Sequence, residues 1–356
     1  MRLEDLGWDD DWAAAYAAVS GVLDVPGRVV IEFNHIFRVS TAEGEVDAST
    51  SGRLKHRAES RSELPSVGDW VVVRRQPGHD HATIRAVLPR RGRFSRKVAG
   101  HLTDEQVVAA NVDVVFLVMA LDSDFNTRRL ERYLLLARES GASPVVLLTK
   151  PDCCDDVPAR VAEATAVAGG LAVHVLNPRH REGLEHVTAR LPYGRTGALL
   201  GSSGVGKSTI INRLAGADVQ KTQEVRTVDS KGRHTTTHRE LIMLPAGGLL
   251  IDTPGMRELQ LWDVTSAVSA TFDDVEALAP RCHFTNCRHR DEPRCAVKAA
   301  VDEGALAAER LDSYLKLQGE IEELSKQQDE RALIDEKRRG KSQGRTSRTR
   351  IDASDR

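Results

Sequence analysis

The sequence predicts a multidomain protein: an N-terminal OB-fold-like β-barrel, a central α/β domain on a mainly parallel sheet, and a C-terminal zinc-binding helical domain. Three observations predict it. Residues 27–98 carry short strand-like runs broken by turn residues, and residues 108–275 alternate continuous apolar strands with helices. A cysteine–histidine cluster then follows within residues 282–295. A length of 356 residues suits two or three domains rather than one.

Residues 1–26 read as a short helical lead-in. In the barrel region, 29–39 is rich in β-branched and aromatic residues, and 70–73 and 82–88 are compact apolar runs. Gly44, residues 65–68 and Pro77-Gly78 separate them as turns. Several short strands in about 70 residues fit a small barrel; an OB-fold is preferred, though periodicity alone does not separate it from an SH3-like barrel. In the central domain, 112–121, 145–149, 171–176, 198–200 and 249–252 read as buried strands, and 127–139, 159–168 and 207–214 as helices. The domain at 276–336 includes an amphipathic helix with Leu311, Tyr314, Leu317, Ile321 and Leu324 on its apolar face. Residues 337–356 form a basic tail without aromatic residues, expected to be disordered.

Composition narrows the function. Hydrophobic residues make up 40% and charged residues 29%, ordinary for a soluble globular protein, and the net charge is -2. A nucleic-acid surface on such a chain must be a local basic patch. The acidic start (Glu4, Asp5, Asp9, Asp10, Asp11) is unlike a secretory signal, and the longest apolar run, 114–121, is far short of a membrane span. Five clustered cysteines do not make a disulfide framework. The expectation is a cytoplasmic monomer with no membrane partner.

Gly201-Ser202-Ser203-Gly204-Val205-Gly206-Lys207-Ser208, followed by Thr209, matches G-x-x-x-x-G-K-[ST] between a strand and a helix. Its glycines let backbone N–H groups wrap a phosphate at a helix N-terminus. Lys207 would reach the β/γ-phosphates and the Ser208 hydroxyl would ligate Mg²⁺. Asp252-Thr-Pro-Gly255 follows an apolar strand, so Asp252 is placed to hold Mg²⁺ through water and Gly255 to offer an N–H to the γ-phosphate. Between them lies the polar segment 232–238. Thr237 there is the preferred switch residue, with Thr236 the alternative.

Thr149-Lys150-Pro151-Asp152 ends a buried strand and is similar to the guanine motif [NT]-K-x-D. Asp152 would accept the N1–H and N2–H₂ donors that only guanine presents together, and the Lys150 stem would cover the base. Thr149 stands where Asn is usual, and a hydroxyl replaces only part of an amide's hydrogen bonding. The base motif precedes the phosphate loop by about 50 residues, the reverse of the ordinary order. The GTPase domain is therefore read as circularly permuted. A second base-contacting loop belongs near 177–184, where the usual Ser-Ala is replaced by Asn177-Pro178.

Cys282-x₄-Cys287-x-His289-x₅-Cys295 supplies three thiolates and an imidazole, a set suited to one tetrahedral structural Zn²⁺. His283 is a competing ligand. Cys153 and Cys154 lack such spacing and read as the beginning of a helix.

Together these motifs resemble the bacterial ribosome small-subunit-dependent GTPases, a circularly permuted family. The resemblance rests on the permuted order, the phosphate loop, Gly232-Arg-His-Thr-Thr-Thr237, Asp252-Thr-Pro-Gly-Met-Arg-Glu258 and the Cys/His spacing. It implies an OB-fold and a zinc domain flanking the GTPase, late maturation of the 30S subunit, contact with its 16S rRNA, and GTP hydrolysis to GDP stimulated by that subunit. Met256 stands where many GTPases place a water-orienting Gln, so slow intrinsic hydrolysis is expected; His234 and His238 are candidate water-positioning residues. Basic residues at Arg90, Arg91, Arg93, Arg96 and Lys97, and at Arg53, Lys55, Arg57 and Arg61, are candidates for neutralising rRNA phosphates. Two other readings fit parts of the pattern: a large-subunit biogenesis GTPase, and a zinc RNA-binding module that holds nucleotide structurally.

Overall fold

The structure is a computed structural model that describes residues 2–33, 35–75, 81–97, 105–216, 239–252, 272–308, 310–316, 318–319 and 322. It divides into two compact units, one over 1–96 and 105–271, the other over 97–104 and 272–356. No helix among the described residues is long and apolar enough to cross a membrane.

The first unit begins with helix α1 (Asp10–Ala17), capped by Asp9, whose carboxylate accepts the Trp12 N–H at 3.1 Å. Five strands follow: β1 (Asp24–Phe33), β2 (Ile36–Thr41), β3 (Gly44–Thr50), β4 (Trp70–Arg75) and β5 (His81–Val87), with helix α2 (Gly52–Arg57) between β3 and β4. They pair in the order β1-β2-β3-β5-β4, and β4 returns to β1, so the sheet closes into a barrel. Only β3 and β5 run parallel. The apolar stretch 29–39, expected as one strand-like run, is a hairpin. The chain turns through His35, which takes a left-handed φ of 64°. The expected turn at Pro77-Gly78 lies outside the described residues.

Strands β6 (Arg93–Lys97) and β7 (Glu105–Ala110) make a separate two-stranded sheet. The α/β part then runs through β8 (Val114–Ala120), α3 (Thr127–Ser140), β9 (Ser143–Thr149), α4 (Val157–Ala168) and β10 (Val173–Leu176). It continues with α5 (Glu185–Thr188), β11 (Thr196–Leu200), α6 (Lys207–Ala215), β12 (Arg239–Met243) and β13 (Leu249–Asp252). The strand order is β10-β9-β8-β11-β13-β12, parallel except for β12. Every residue of β8 is buried, as a central parallel strand covered on both faces requires. Phe116, Val118, Leu147, Leu199, Ile210 and Leu250 are among the buried side chains of its core.

The two sheets are one. Strand β12 pairs antiparallel with β1 of the barrel, giving eleven continuous strands. Glu32 Oε2 accepts from Arg239 Nη1 at 2.7 Å across that seam. Arg28, fully buried on β1, donates to the carbonyls of Leu6, Gly68 (3.2 Å) and Asn111 (3.3 Å). Burial lowers its pKa to about 10, which leaves it charged at neutral pH.

Much of the first basic run is spent inside the fold. Arg90 makes two bonds to Asp69 (2.7 Å each) and also donates to the Ser62 and Leu64 carbonyls; the Asp69 side chain is fully buried. Arg91 grips both carboxylate oxygens of Asp9 at 2.7 Å, Arg93 pairs with Glu105, and Arg96 donates to Gln106. Arg90 is thus committed to the interior, whereas Arg91 and Arg93, though paired, keep about half of their side chains exposed (46% and 51%).

The second unit holds α7 (Asp273–Leu278), a 3₁₀ turn (Ala279–Arg281), the Cys/His loop and α8 (Ala296–Asp302). Phe272, Val275, Val297, Ala300 and Leu306 are buried there, with Leu311 and Tyr314 of the expected amphipathic helix. Leu317, Ile321, Leu324 and the basic tail lie outside the described side chains.

Candidate nucleotide site and metal cluster

The C-terminal ends of β8, β9, β11 and β13 meet at one edge of the parallel sheet, the edge where α/β folds carry their ligands. From β11 the chain enters Gly201–Ser208 and then α6. Gly204 and Gly206 have φ of 80° and 100°, and a Cβ on Gly201 would stand 2.3 Å from the Val118 carbonyl. The loop thus depends on glycine for its turn and for its approach to β8. Lys207 Nζ bonds the carbonyls of Gly201 (2.7 Å) and Ser202 (2.5 Å), which folds its ammonium over the loop. Ser208 and Thr209 open α6 and are half-buried, whereas Ser203 and Gly204 are exposed. The loop therefore presents backbone N–H groups, an ammonium and a hydroxyl at a helix N-terminus, a combination that can hold a polyphosphate.

Asp252 ends β13, beside the strand that leads into the loop, with Ala198 opposite Ile251 in the register. Thr236, Thr237, Gly255 and Met256, with His234 and His238, lie outside the described residues.

The base motif sits two strands away. Thr149 is 1% exposed, and its hydroxyl donates to the Val205 carbonyl of the phosphate loop at 2.6 Å. Lys150 takes a left-handed φ of 56°, which turns the chain sharply into the short 3₁₀ helix Pro151–Cys153. Its Nζ meets Asp122 Oδ2 at 2.7 Å, so the stem is fixed at the base loop. Burial pushes the Asp122 carboxyl up, but the Lys150 bond and the Asp124 N–H outweigh it and the net shift is down. Asp152 is exposed, with Asn177 Nδ2 3.4 Å from its Oδ1. Cys153 and Cys154 are free thiols; Cys153 ends the 3₁₀ turn and α4 begins only at Val157. The expected helix start at the two cysteines is therefore displaced by the turn.

Three contacts escaped sequence reasoning. Asp122 holds Lys150, Arg129 donates to Ser202 Oγ of the phosphate loop at 2.6 Å, and Arg213 of α6 donates to the Pro178 carbonyl at 3.2 Å. Asp122 could have been sought from its place just beyond β8 on the ligand-bearing edge. Arg129 and Arg213 carry no sequence signal of their own.

The second unit gathers Cys282, Cys287, His289 and Cys295 with all four ligand atoms within 4.8 Å of one another. Cys282 Sγ lies 3.9 Å from Cys295 Sγ, and His289 Nδ1 lies 3.5 and 3.3 Å from those two sulfurs. A tetrahedral ion with bonds of about 2.3 Å to sulfur requires edges of about 3.8 Å, so the donor set fits a closed four-coordinate metal site. Cys295 also caps α8, its sulfur accepting the Lys298 N–H at 3.5 Å. For Cys282, burial opposes ionisation, but the Ala296 and Val297 N–H groups and the neighbouring thiols bring the pKa down. His283 is exposed, packs its ring edge on Phe284 and stands outside the cluster.

A phosphate loop and a guanine-type motif share one sheet edge, with the base motif earlier in the chain; this defines a circularly permuted P-loop GTPase. The RsgA GTPase family model matches residues 87–262. A protein of Opitutus terrae named small ribosomal subunit biogenesis GTPase RsgA is 47% identical, with 99% of each chain covered. The same-named protein of Streptomyces coelicolor is 40% identical over 99% of this chain and 95% of its own. Among solved structures, YjeQ from Thermotoga maritima aligns with a TM-score of 0.61 at 26% identity, covering 85% of this chain and 99% of that one. YloQ, a circularly permuted GTPase, gives 0.60 at 23% identity over 84% and 96%, a likeness of fold. The chain belongs to the RsgA family of small ribosomal subunit biogenesis GTPases, and it is a GTP-hydrolysing enzyme.

Proposed function

We propose that this protein hydrolyses GTP during late maturation of the small ribosomal subunit, docking on its rRNA and accelerated by it. The near-full-length match to small-subunit biogenesis GTPases carries this reading. The closed barrel, with strand order β1-β2-β3-β5-β4, is inferred to be an OB-fold, and the domains are those bounded at 27–98, 108–275 and 276–336.

In this reading the residue roles are those of the sequence motifs. Gly201 to Gly206 wrap the β-phosphate with backbone N–H groups, and Lys207 swings from the loop carbonyls to the β/γ-phosphates. Ser208 and, through water, Asp252 would hold Mg²⁺, which would supply positive charge to offset that of the phosphates. Thr237 and Gly255 complete the γ-phosphate contacts. Asp152 accepts the guanine donors while Thr149, Lys150 and Pro151 set its loop. Cys282, Cys287, His289 and Cys295 hold one structural Zn²⁺, which leaves no open coordination position for chemistry.

Turnover of GTP, measured alone and with purified small or large subunits, tests the reading. Acceleration by the small subunit only is expected. Acceleration by the large subunit alone would reassign the partner, and a background rate under every condition would leave nucleotide as a structural ligand.

A further inference from the structure

Guanine offers two donors, N1–H and N2–H₂, and one acceptor, O6, along the same edge. Asp152 can take the donors, but a carboxylate cannot serve O6. Whatever contacts O6 must be a donor beside Asp152.

Few donors there remain uncommitted. The Lys150 ammonium is held by Asp122 at 2.7 Å. The N–H groups of Cys153 and Cys154 bond the Lys150 and Pro151 carbonyls, and those of His180, Arg181 and Glu182 bond carbonyls of Asn177 or Pro178. Pro178 has no N–H to give. Its carbonyl accepts from Arg213 of the helix that follows the phosphate loop, so the 177–178 turn is tied to that helix.

Two donors remain, the Arg179 N–H and the side-chain amide of Asn177, and it is the Asn177 amide that stands against Asp152. Asn177 is 8% exposed at the end of β10, and its backbone bridges to Glu182, which stiffens the turn. Its Nδ2 lies 3.4 Å from Asp152 Oδ1. An ionised carboxylate only accepts, so the amide nitrogen, not the oxygen, must face it. That bond uses one of the two N–H groups on Nδ2. We propose that the second N–H of Asn177 donates to guanine O6, so that one side-chain amide both steadies Asp152 and reads the base. Asn at 177 thereby supplies the donor that proline at 178 withholds. This rests on the guanine reading of the Thr149–Asp152 motif.

The test compares GDP with 6-thio-GDP, whose sulfur is a poor acceptor while N1–H and N2–H₂ are kept, by equilibrium binding to the full-length protein. The wild type should bind 6-thio-GDP roughly tenfold more weakly than GDP, the loss of about one hydrogen bond. Asn177→Ala should bind GDP more weakly and no longer distinguish the two. Asn177→Ser, with one donor for Asp152, should also lose the oxygen-over-sulfur preference yet still favour GDP over IDP, which reports Asp152 in place. An undiminished preference for GDP over 6-thio-GDP in both variants would overturn the proposal and assign O6 to another donor such as the Arg179 N–H. Equal binding of GDP and ADP by the wild type would instead overturn the guanine reading, and this inference with it.

Discussion

The Thr149 hydroxyl donates to the Val205 carbonyl at 2.6 Å, tying the last residue of β9 to the middle of the phosphate loop. A second, longer contact reaches the Met119 carbonyl at 3.4 Å. Threonine here replaces the usual asparagine, yet it joins base strand to phosphate loop through its single donor. Thr149→Val keeps the shape and removes that donor from a buried site. The expected cost is about 1–3 kcal/mol of stability, together with weaker GDP binding. Thr149→Asn should restore both. Thermal unfolding and a nucleotide titration check this; a valine variant as stable and as tight-binding as wild type would show the bond to be dispensable.

Lys207→Ala should nearly abolish GTP turnover, because the ammonium that now sits on the Gly201 and Ser202 carbonyls is the one that would meet the β/γ-phosphates. Ser208→Ala should lose Mg²⁺-dependent binding. Both side chains are half-buried at the loop rather than in the core, so circular dichroism should report an intact fold. Normal turnover by the Lys207 variant would place catalysis elsewhere.

Cys282→Ala, Cys287→Ala, His289→Ala and Cys295→Ala should each release zinc and loosen the second unit, since metal binding and folding are coupled. His283→Ala should leave zinc content at one per chain. A chelator should act like the ligand substitutions. Protein purified under reducing conditions with no zinc by elemental analysis would refute the site.

Asp24 tests the electrostatics of the barrel. Its side chain is 1% exposed and is bonded by Arg74 at 2.9 Å, Arg85 at 3.0 Å and the Gly21 N–H at 2.8 Å. Burial pushes its pKa up, but these three partners prevail and the carboxyl sits below its ordinary value. A depressed folded pKa contributes stability that is full above the unfolded value, about 3.9, and is lost as pH falls through the folded one. Asp24→Asn should therefore lower the melting temperature at pH 7, and the gap to wild type should close below about pH 4. A gap of constant size down to pH 2 would show that charge is not its source.

What the sequence made legible was local. The strands at 112–121 and 145–149 could be read because buried parallel strands are continuously apolar, and Gly201–Ser208 because a phosphate loop needs those residue types at that spacing. The hairpin between β1 and β2 was hidden because His35, and not a glycine, takes the left-handed conformation at its turn. Strand β12 was hidden because its barrel partner is remote: Glu32 and Arg239 pair across 207 positions. That pairing also changes how the barrel must be handled. A protein lacking 1–97 would lose β1 from a continuous sheet and the Arg28 bonds that join the barrel to Asn111, so point substitutions are the sounder probe of docking.

The two basic runs should behave in opposite ways. Arg90 is 12% exposed against a fully buried Asp69, so Arg90→Ala strands a carboxylate in the interior. Breaking such a pair costs about 3–5 kcal/mol, and loss of folded protein is the expected result. Arg53, Lys55, Arg57 and Arg61 instead stand exposed on and beside α2. Converting all four to Glu should change melting temperature little, since no buried side chain among the described residues is bonded to theirs, and basal GTP turnover should persist. Binding to the small subunit should weaken sharply, because a cation that no longer neutralises a phosphate no longer releases the counterions that drive association. The dependence of affinity on salt concentration should flatten in proportion: a slope of about -0.7 to -0.9 per neutralised phosphate in a double-logarithmic plot reports how many of the four residues touch the RNA backbone. An unchanged slope and affinity in the fourfold variant would move the RNA-binding face away from α2 to another part of the chain.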